Sequence, residues 1–583
     1  MVFLYYNLFM NKLKVKKNKT WRHFTSWQWY KVAIIIIFWA ILQEMIMAST
    51  DIIDNIFVNY LHNDQIEGLG ALQQFIKDHW SNLNTEQLNA AGISLEYLGN
   101  GLSYQAGQIA VNGVTASNQL YIIMFTSISG FCYGCGVYAS QYYGAGEYQK
   151  LKQVTALKIY VVFGITFMFA LFTLPGVTDK LIEFTTQPKY VANPLETGVV
   201  SDTNQVRQLF EHIQWRAAVL STQQGVQYYR IIAPTYVLLA INETAITALR
   251  ETKRLYYSFW MSIIALIANS VMNVFLTAPT FLGDFKGLGV TGTAVATVSS
   301  RVLQMLFIIG LLGWKRFEFI PLWISFKIER ALLKKTMHKA APLLFNEVLF
   351  SFGLVLQVKL RGEYSNEAMT ANAMFATISG VIFSPLYHGI NAGITAFVGN
   401  DLGANKIQEA KRNSKHLIFI GIAIAIIAAT ILASLSFVIP KILFSNSNPE
   451  AQRIGIWMLF IYSLFYVFVM TSNIFYSILR AGGKVWWSLA IDSIFTWSIS
   501  IPMLAILITL RMNNVIDLDI IYIHLIICSL EVIKVGIGFM FYKKGNWAQN
   551  LTLEQGIDKN NWLKLVTSKV KTKVKTKIQK VKK

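Results

Sequence analysis

This sequence is poor in charge. Only 14% of its 583 residues are Asp, Glu, Lys or Arg, while 54% are hydrophobic. An ordinary soluble domain carries about 25% charged residues, so a water-soluble globular enzyme is excluded first. Disorder goes with it, because a disordered chain is poor in apolar residues. Three cysteines are too few for a disulfide scaffold. No P-loop, no zinc-ligand spacing and no Gly-x-Ser-x-Gly is found, which removes the usual signs of an ATP-driven pump, a zinc enzyme or a serine hydrolase. What remains is a polytopic membrane protein.

The net charge of +21 is unevenly spread. Residues 1–31 carry seven basic residues (Lys12, Lys14, Lys16, Lys17, Lys19, Arg22, Lys31) and no acid, and residues 559–583 carry ten lysines and no acid. Such ends read as cytoplasmic anchors on an anionic leaflet and not as a nucleic-acid groove. The apolar run MVFLYYNLFM precedes the first lysines, the reverse of the order in a signal peptide. In the tail, Leu563, Val566, Val570, Val574, Ile578 and Val581 recur at helical spacing, the pattern of a basic amphipathic helix lying on a membrane. The alternating VKTKVKT within it also fits a strand, or a solvated tail.

A spanning helix needs about 20 apolar residues. Windows of that length fall near 33–59, 118–142, 156–177, 229–248, 257–278 and 289–312, and then near 342–360, 374–399, 416–440, 454–478, 486–511 and 519–541. Every second connection is basic, as at Lys150 and Lys152, Arg250 to Arg254, Lys315 to Lys339, Lys406 to Arg412, and Arg480 and Lys484. The positive-inside rule then sets an even number of spans with both termini cytoplasmic. The expected organisation is a basic segment 1–31, a first lobe 32–313, a cytoplasmic linker 314–341, a second lobe 342–542 and a basic tail 543–583. The long outer loops lie near 61–117 and 178–228.

The two halves repeat. SGFCYGCGVYASQYYGAGEYQKLK (129–152) aligns with HGINAGITAFVGNDLGANKIQEAK (388–411), so that Gly130 meets Gly389, Gly134 meets Gly393 and Gly144 meets Gly403. Leu249-Arg250 likewise aligns with Leu479-Arg480. Internal repeats of this kind mark transporter folds in which one half moves against the other around a midplane site. QYYGAGEYQK (141–150), LGVTGTAVAT (288–297), GNDLGANKIQEAKR (399–412) and LRAGGKVWWSLAIDSIFTWSISIP (479–502), in this order, resemble the motifs of the multidrug and toxic compound extrusion (MATE) transporters. The resemblance covers nearly all of 32–542 apart from the outer loops. It implies an all-α membrane protein, with twelve transmembrane helices in two pseudo-symmetric six-helix lobes, in agreement with the span count.

An ionisable side chain at the bilayer centre costs about 2.5–3.5 kcal/mol on insertion scales, so buried acids are the first functional candidates. Glu44, Asp51 and Asp54 share one face of the first span. Asp51 and Asp54 form an i, i+3 pair in which one carboxyl is expected to hold a proton or a cation. Glu243, Glu347 and Asp492 fall in later spans, and no basic residue is placed deep in any span. His388 is the one histidine placed deep, with a core role expected. By the resemblance, Asp54 matches the family's first-span Asp, Asn269 and Asn273 its Asn-x-x-x-Asp/Asn pair, Thr297 a sixth-span hydroxyl and Glu347 a seventh-span acid; Asp492 and Trp497 belong to the eleventh-span signature. Asn273 stands where some members have Asp, which removes one formal charge from a sodium site at Asp54.

These residues lead to a secondary antiporter of the plasma membrane, with Asp54, Asn269, Asn273, Thr297 and Asp51 coupling H+ or Na+ entry to export. Glu44, Glu243, Glu347, Asp492 and Trp497 then face the substrate. The expected partners are small-molecule organic cations and membrane lipids, not nucleic acid, and no cofactor is expected. The expected state is a monomer. The first alternative is a lipid-linked precursor flippase of a related two-lobed family, which requires deep Arg or Lys. The second, an intramembrane enzyme, needs a nucleophile–base or His-rich constellation. Gly287-x-Gly289-x-x-Gly292 lacks the preceding strand of a dinucleotide site, and Cys132-x-x-Cys135 sits in a span and not in a βαβ context.

Overall fold

The structure, a computed structural model, describes residues 26–553 except 60, 92, 94–96, 98–101, 187–189, 198–202, 278–286, 444–448 and 514. Most of the basic N-terminal segment and the amphipathic repeat of the tail therefore lie outside the described residues. Among the described residues, twelve helices are long and apolar enough to cross a membrane. They are α1 (Trp27–Asn59), α2 (Ala106–Ala145), α3 (Tyr148–Leu171), α4 (Thr203–Glu251), α5 (Leu255–Leu276) and α6 (Gly289–Lys315) in the first half. The second half holds α7 (Arg330–Arg361), α8 (Thr370–Gly403), α9 (Ile407–Leu435), α10 (Pro449–Ala481), α11 (Val485–Met512) and α12 (Ile520–Lys543). Among the described residues there is no strand.

The outer segments are more helical than uniform hydropathy shows. Thr203–Ile232, expected within the outer loop 178–228, is a helix that joins Tyr236–Glu251 through a short 3-10 turn at Ala233–Thr235. Its composition is too polar for an apolar window. Yet Val206, Leu209, Ile213, Ala217 and Leu220 recur every three or four residues and are buried, the amphipathic pattern of a helix with one covered face. The covering elements are α2, α6 and the short helices Leu69–His79, Thr85–Ala90 and Val177–Thr186. Trp80 closes this outer cap, fully buried, with its Nε1 donating to the Tyr97 carbonyl at 2.7 Å. Likewise α2 begins at Ala106, so the loop expected over 61–117 ends about three turns early.

The repeat seen in the sequence builds the contact between the lobes. α2 packs along α7, and α1 packs along α5 and α8. A Cβ on Gly144 would overlap the Asn400 carbonyl, and a Cβ on Gly403 would overlap the Gln141 carbonyl. Gly144 aligns with Gly403 and Gln141 with Asn400 in the repeat, so the contact is reciprocal, as across a two-fold axis. Small residues at such crossings let two backbones approach closely.

Hydrogen bonds between the lobes gather on the side of the basic loops. Gln141 Nε2 donates to the Ala481 carbonyl at 3.1 Å, Asn400 Nδ2 to the Glu251 carbonyl at 3.2 Å, and Tyr30 OH pairs with His416 Nδ1 at 2.6 Å. Beyond α12 the chain turns back into this seam: Leu551 N donates to Gln141 Oε1 at 2.7 Å and Asn550 Nδ2 to the Gly403 carbonyl at 3.1 Å. Lys253, in the left-handed region at φ 62°, places its ammonium 5.1 Å from the centre of the Phe397 ring. Its burial there holds its pKa below the usual lysine value, against the pull of Asp401. The innermost contacts are Tyr133 OH to His388 Nδ1 at 3.1 Å and Ser351 Oγ to Thr126 Oγ1 at 2.9 Å.

Candidate functional site

In the first lobe, α1, α5 and α6 bring four of the expected residues together. Asp54 is buried, and its Oδ1 accepts from Asn269 Nδ2 at 3.0 Å and Asn273 Nδ2 at 2.7 Å, while Oδ2 accepts from Thr297 Oγ1 at 2.9 Å. The amides are ordered in turn, because Asn273 Nδ2 also reaches Asn269 Oδ1 at 3.2 Å. Two residues extend the network beyond what the sequence offered. Thr277 Oγ1 donates to Asn273 Oδ1 at 2.8 Å and lies 3.0 Å from Thr293 Oγ1. Both stand four residues from a member of the cluster, Thr277 after Asn273 and Thr293 before Thr297, which puts them on the same helix faces. Asp51 lies one turn earlier on α1, and its side chain is outside the described set.

Among the described residues, Asp54 is the only formally charged member of this cluster. Its three partners are neutral donors, each bond to a charged acceptor being worth about 1.5–3 kcal/mol. Turned about their side-chain axes, the two Asn amides would present oxygens instead of N–H groups. Asp54, Asn269, Asn273 and Thr297 together then offer an all-oxygen set of the kind hard cations take. The same residues can hold a proton on the carboxyl.

The other acids divide. Glu44 is ion-paired to Arg250 at 2.6 Å, and Glu243 is buried beside that pair. Glu347 and Asp492 line a cavity of about 490 Å³ in the second lobe, within the size range of drug-binding pockets. Glu347 Oε1 accepts from Tyr476 OH at 3.1 Å, which in turn accepts from Arg480 Nη1 at 3.2 Å. Asp492 Oδ2 accepts from Asn346 Nδ2 at 2.8 Å. Trp497 does not join this lining. Its Nε1 donates to the Leu349 carbonyl at 3.0 Å and ties α11 to α7, while its neighbours Thr496 and Ser500 face the cavity. α11 widens to π turns at Ala490–Ile494 and Thr496–Ser500; such turns occur mostly as single-turn bulges inside α-helices, frequently at functional sites.

The expectation that no basic residue lies deep is corrected here. Arg361, Arg480 and Lys534 all line the cavity. Lys534 sits midway along α12, paired with Glu531 at 3.1 Å. In the first lobe Lys158 is fully buried against Glu251, and Arg301 of α6 stacks between Tyr121 and Tyr236 at 5.2 and 5.1 Å. Nor is His388 the one deep histidine, since His524 of α12 is also buried and lines the cavity. The Glu531–Lys534 pair was countable in the sequence. Arg361 lay one residue past the end of its apolar window. The walls add Phe375, Phe383, Tyr387 and Tyr462, flat faces suited to aromatic rings or cations.

With this geometry in place, comparison with known proteins is consistent. The MatE family model matches residues 98–196 and 342–506. A probable multidrug resistance protein of Bacillus subtilis, YoeA, is 22% identical over 69% of this chain and 80% of its own length. A probable multidrug resistance protein of Bradyrhizobium diazoefficiens, NorM, is 21% identical over 68% and 78%. Among solved structures, an outward-facing conformation of a multidrug resistance MATE family transporter of the MOP superfamily aligns with a TM-score of 0.65 at 14% identity, over 89% of this chain and 96% of that one. A MOP superfamily transporter from Pyrococcus furiosus, described as having a binding pocket of reverse polarity, aligns with a TM-score of 0.66 at 14% identity and the same coverage. Fold, repeat and matched segments agree, and the chain is similar in each to the MATE family of membrane transporters.

Proposed function

We propose that this protein is a secondary antiporter of the plasma membrane that exports amphipathic organic molecules bearing a cationic group, in exchange for inward H+ or Na+. It works as a monomer with both termini cytoplasmic, the two lobes rocking to give alternating access. The observation that carries this reading is the separation of two polar sites. A buried carboxylate held by neutral donors, Asp54, lies in one lobe, and an aromatic, acid-bearing cavity lies in the other. Multidrug resistance in the names of YoeA and NorM agrees with it. In this conformation the lobes meet on the basic-loop side, which the positive-inside rule makes cytoplasmic. Loading Asp54 with H+ or Na+ removes a buried charge and so shifts the balance between lobe arrangements, which is what coupling requires.

The test is transport of a fluorescent organic cation in proteoliposomes, with pH and sodium gradients imposed separately. One of the two gradients should drive accumulation, and an equal rate without any gradient would defeat the antiport reading. Within the same assay Glu347→Gln should slow export at least tenfold, a loss of about 1.4 kcal/mol in substrate interaction. Glu44→Gln should slow it less, because Glu44 is already neutralised by Arg250. An unchanged rate for Glu347→Gln would remove Glu347 from the substrate site. A second reading, lipid-linked precursor flipping, gains from Arg361, Arg480 and Lys534 in the cavity. Gradient-independent lipid scrambling by the purified protein would favour it.

A further inference from the structure

Arg361, in the last turn of the helix that carries α7, stands at the end of the cavity remote from the basic loops. It is only 5% exposed, so it does not reach out to solvent or headgroups as arginines at helix ends usually do. Its Nη1 donates to Asn372 Oδ1 at 2.7 Å and its Nη2 reaches His524 Nδ1 at 3.5 Å. Accepting there leaves that ring nitrogen unprotonated, and the other, Nε2, lies 3.4 Å from Cys528 Sγ. The Nε of Arg361 is buried with no partner.

The acids of the cavity are engaged elsewhere: Glu531 with Lys534 and Ser472, Asp492 with Asn346, Glu347 with Tyr476. Glu347 and Arg361 lie fourteen residues apart on one helix, about 21 Å. Among the described residues, then, no carboxylate pairs with Arg361. A buried guanidinium without a counter-ion is costly. Such a group, facing a cavity of drug size with an unused donor, is built to receive an anion, for which its planar fork is the best-suited side chain.

We propose that Arg361, with Asn372 and His524, forms an anion subsite in the second-lobe cavity, which takes a carboxylate or phosphate group of the bound molecule. The proposal rests on reading this cavity as the substrate site, and it narrows the substrate class to molecules that carry an anionic group besides their cationic one. Asn372 and His524 are positioning residues that aim the guanidinium. The acids toward the other end receive the cationic group, and the aromatic walls receive the rings between.

The test compares a rhodamine that bears a free carboxylate with its methyl ester, binding to the purified full-length protein in nanodiscs of neutral lipid. The two probes share rings and cationic group and differ in the anion alone. Wild type should bind both, the acid more tightly. Arg361→Gln should weaken the acid roughly 10- to 100-fold, the value of a charge-assisted bond, and leave the ester within about twofold. Arg361→Lys, which keeps the charge without the fork, should fall between them. It also serves if the Gln variant does not elute as a single folded species. An acid-to-ester ratio unchanged by both substitutions overturns the anion subsite while leaving the cavity as a substrate site. Failure of wild type to bind either probe overturns the reading of the cavity itself, and the subsite with it. A third arm identifies the source of the anion. Displacement of the acid by phosphatidylglycerol in wild type, but not in the Gln variant, assigns the subsite to a lipid phosphate. Absence of displacement assigns it to the soluble substrate.

Discussion

Asp54→Asn should abolish gradient-driven export, with rates at least about 100-fold below wild type, while the protein still inserts, purifies as one species and binds substrate within about threefold. The expectation follows from the charge of one residue. Among the described residues, Asp54 is the sole formal charge in a cluster otherwise made of Asn269, Asn273, Thr277, Thr293 and Thr297, all buried. An ion or proton arriving there changes the charge of the site from negative to neutral, and that change is worth several kcal/mol in a buried setting. A shift of about 2.7 kcal/mol already moves an equilibrium about 100-fold. Asn has the same shape and can still bond to Thr297, but loading no longer changes anything. The measurement is initial rate of export in proteoliposomes under imposed pH and sodium gradients, alongside size-exclusion profiles and equilibrium binding of the same substrate. Wild-type export by Asp54→Asn under either gradient would show that coupling lies elsewhere, and loss of substrate binding would show that the two sites are not separate.

The number of spans and their pairing across the repeat were legible because both are written in single-chain patterns. Apolar stretches of fixed length mark the spans, and Gly130, Gly134 and Gly144 recur as Gly389, Gly393 and Gly403. The first-lobe cluster was legible through resemblance alone, since nothing in the spacing of Asp54, Asn269 and Thr297 says that α1, α5 and α6 meet. Their supporting threonines were not legible, because Thr277 and Thr293 look like ordinary span-end hydroxyls until the helices are packed.

The charge of the cavity was misread: its acids Glu347, Asp492 and Glu531 are matched by Arg361, Arg480 and Lys534. Counting acids within apolar windows found Glu347 and Asp492 but passed over Arg361, at a window edge, and Lys534, hidden beside Glu531. A hydropathy window tolerates one charge pair because a buried pair costs less than its members taken singly. The long helix Thr203–Ile232 was missed for a related reason. Its apolar residues lie on one face and are diluted in any average along the chain. Glu44 shows the converse: its burial was foreseen, whereas its partner Arg250 comes from the far end of α4, a contact no sequence spacing contains.

The crossing of Gly144 and Gly403 gives the other large effect. Each glycine lies against the backbone of the opposite lobe, Gly144 at Asn400 and Gly403 at Gln141, with no room for a Cβ. Gly403→Ala must therefore push α2 and α8 apart on the basic-loop side, and overpacking of this kind costs about 1–3 kcal/mol. The penalty falls only on the arrangement in which the lobes touch there, because an arrangement open on that side has no such contact. The expected result is a shift of roughly 5- to 150-fold toward the open arrangement. Export should slow at least tenfold as a consequence, since one half of the cycle is then poorly populated. A cysteine at Ser140, which is buried against Gly399 in this seam, reports the change. In a background with Cys132, Cys135 and Cys528 replaced, Ser140→Cys should resist a membrane-impermeant maleimide offered from the basic-loop side. Adding Gly403→Ala should expose it, and Gly144→Ala should do the same by symmetry. Continued protection of that cysteine in both variants, with export at the wild-type rate, would mean that the reciprocal glycine contact is not the seal between the lobes.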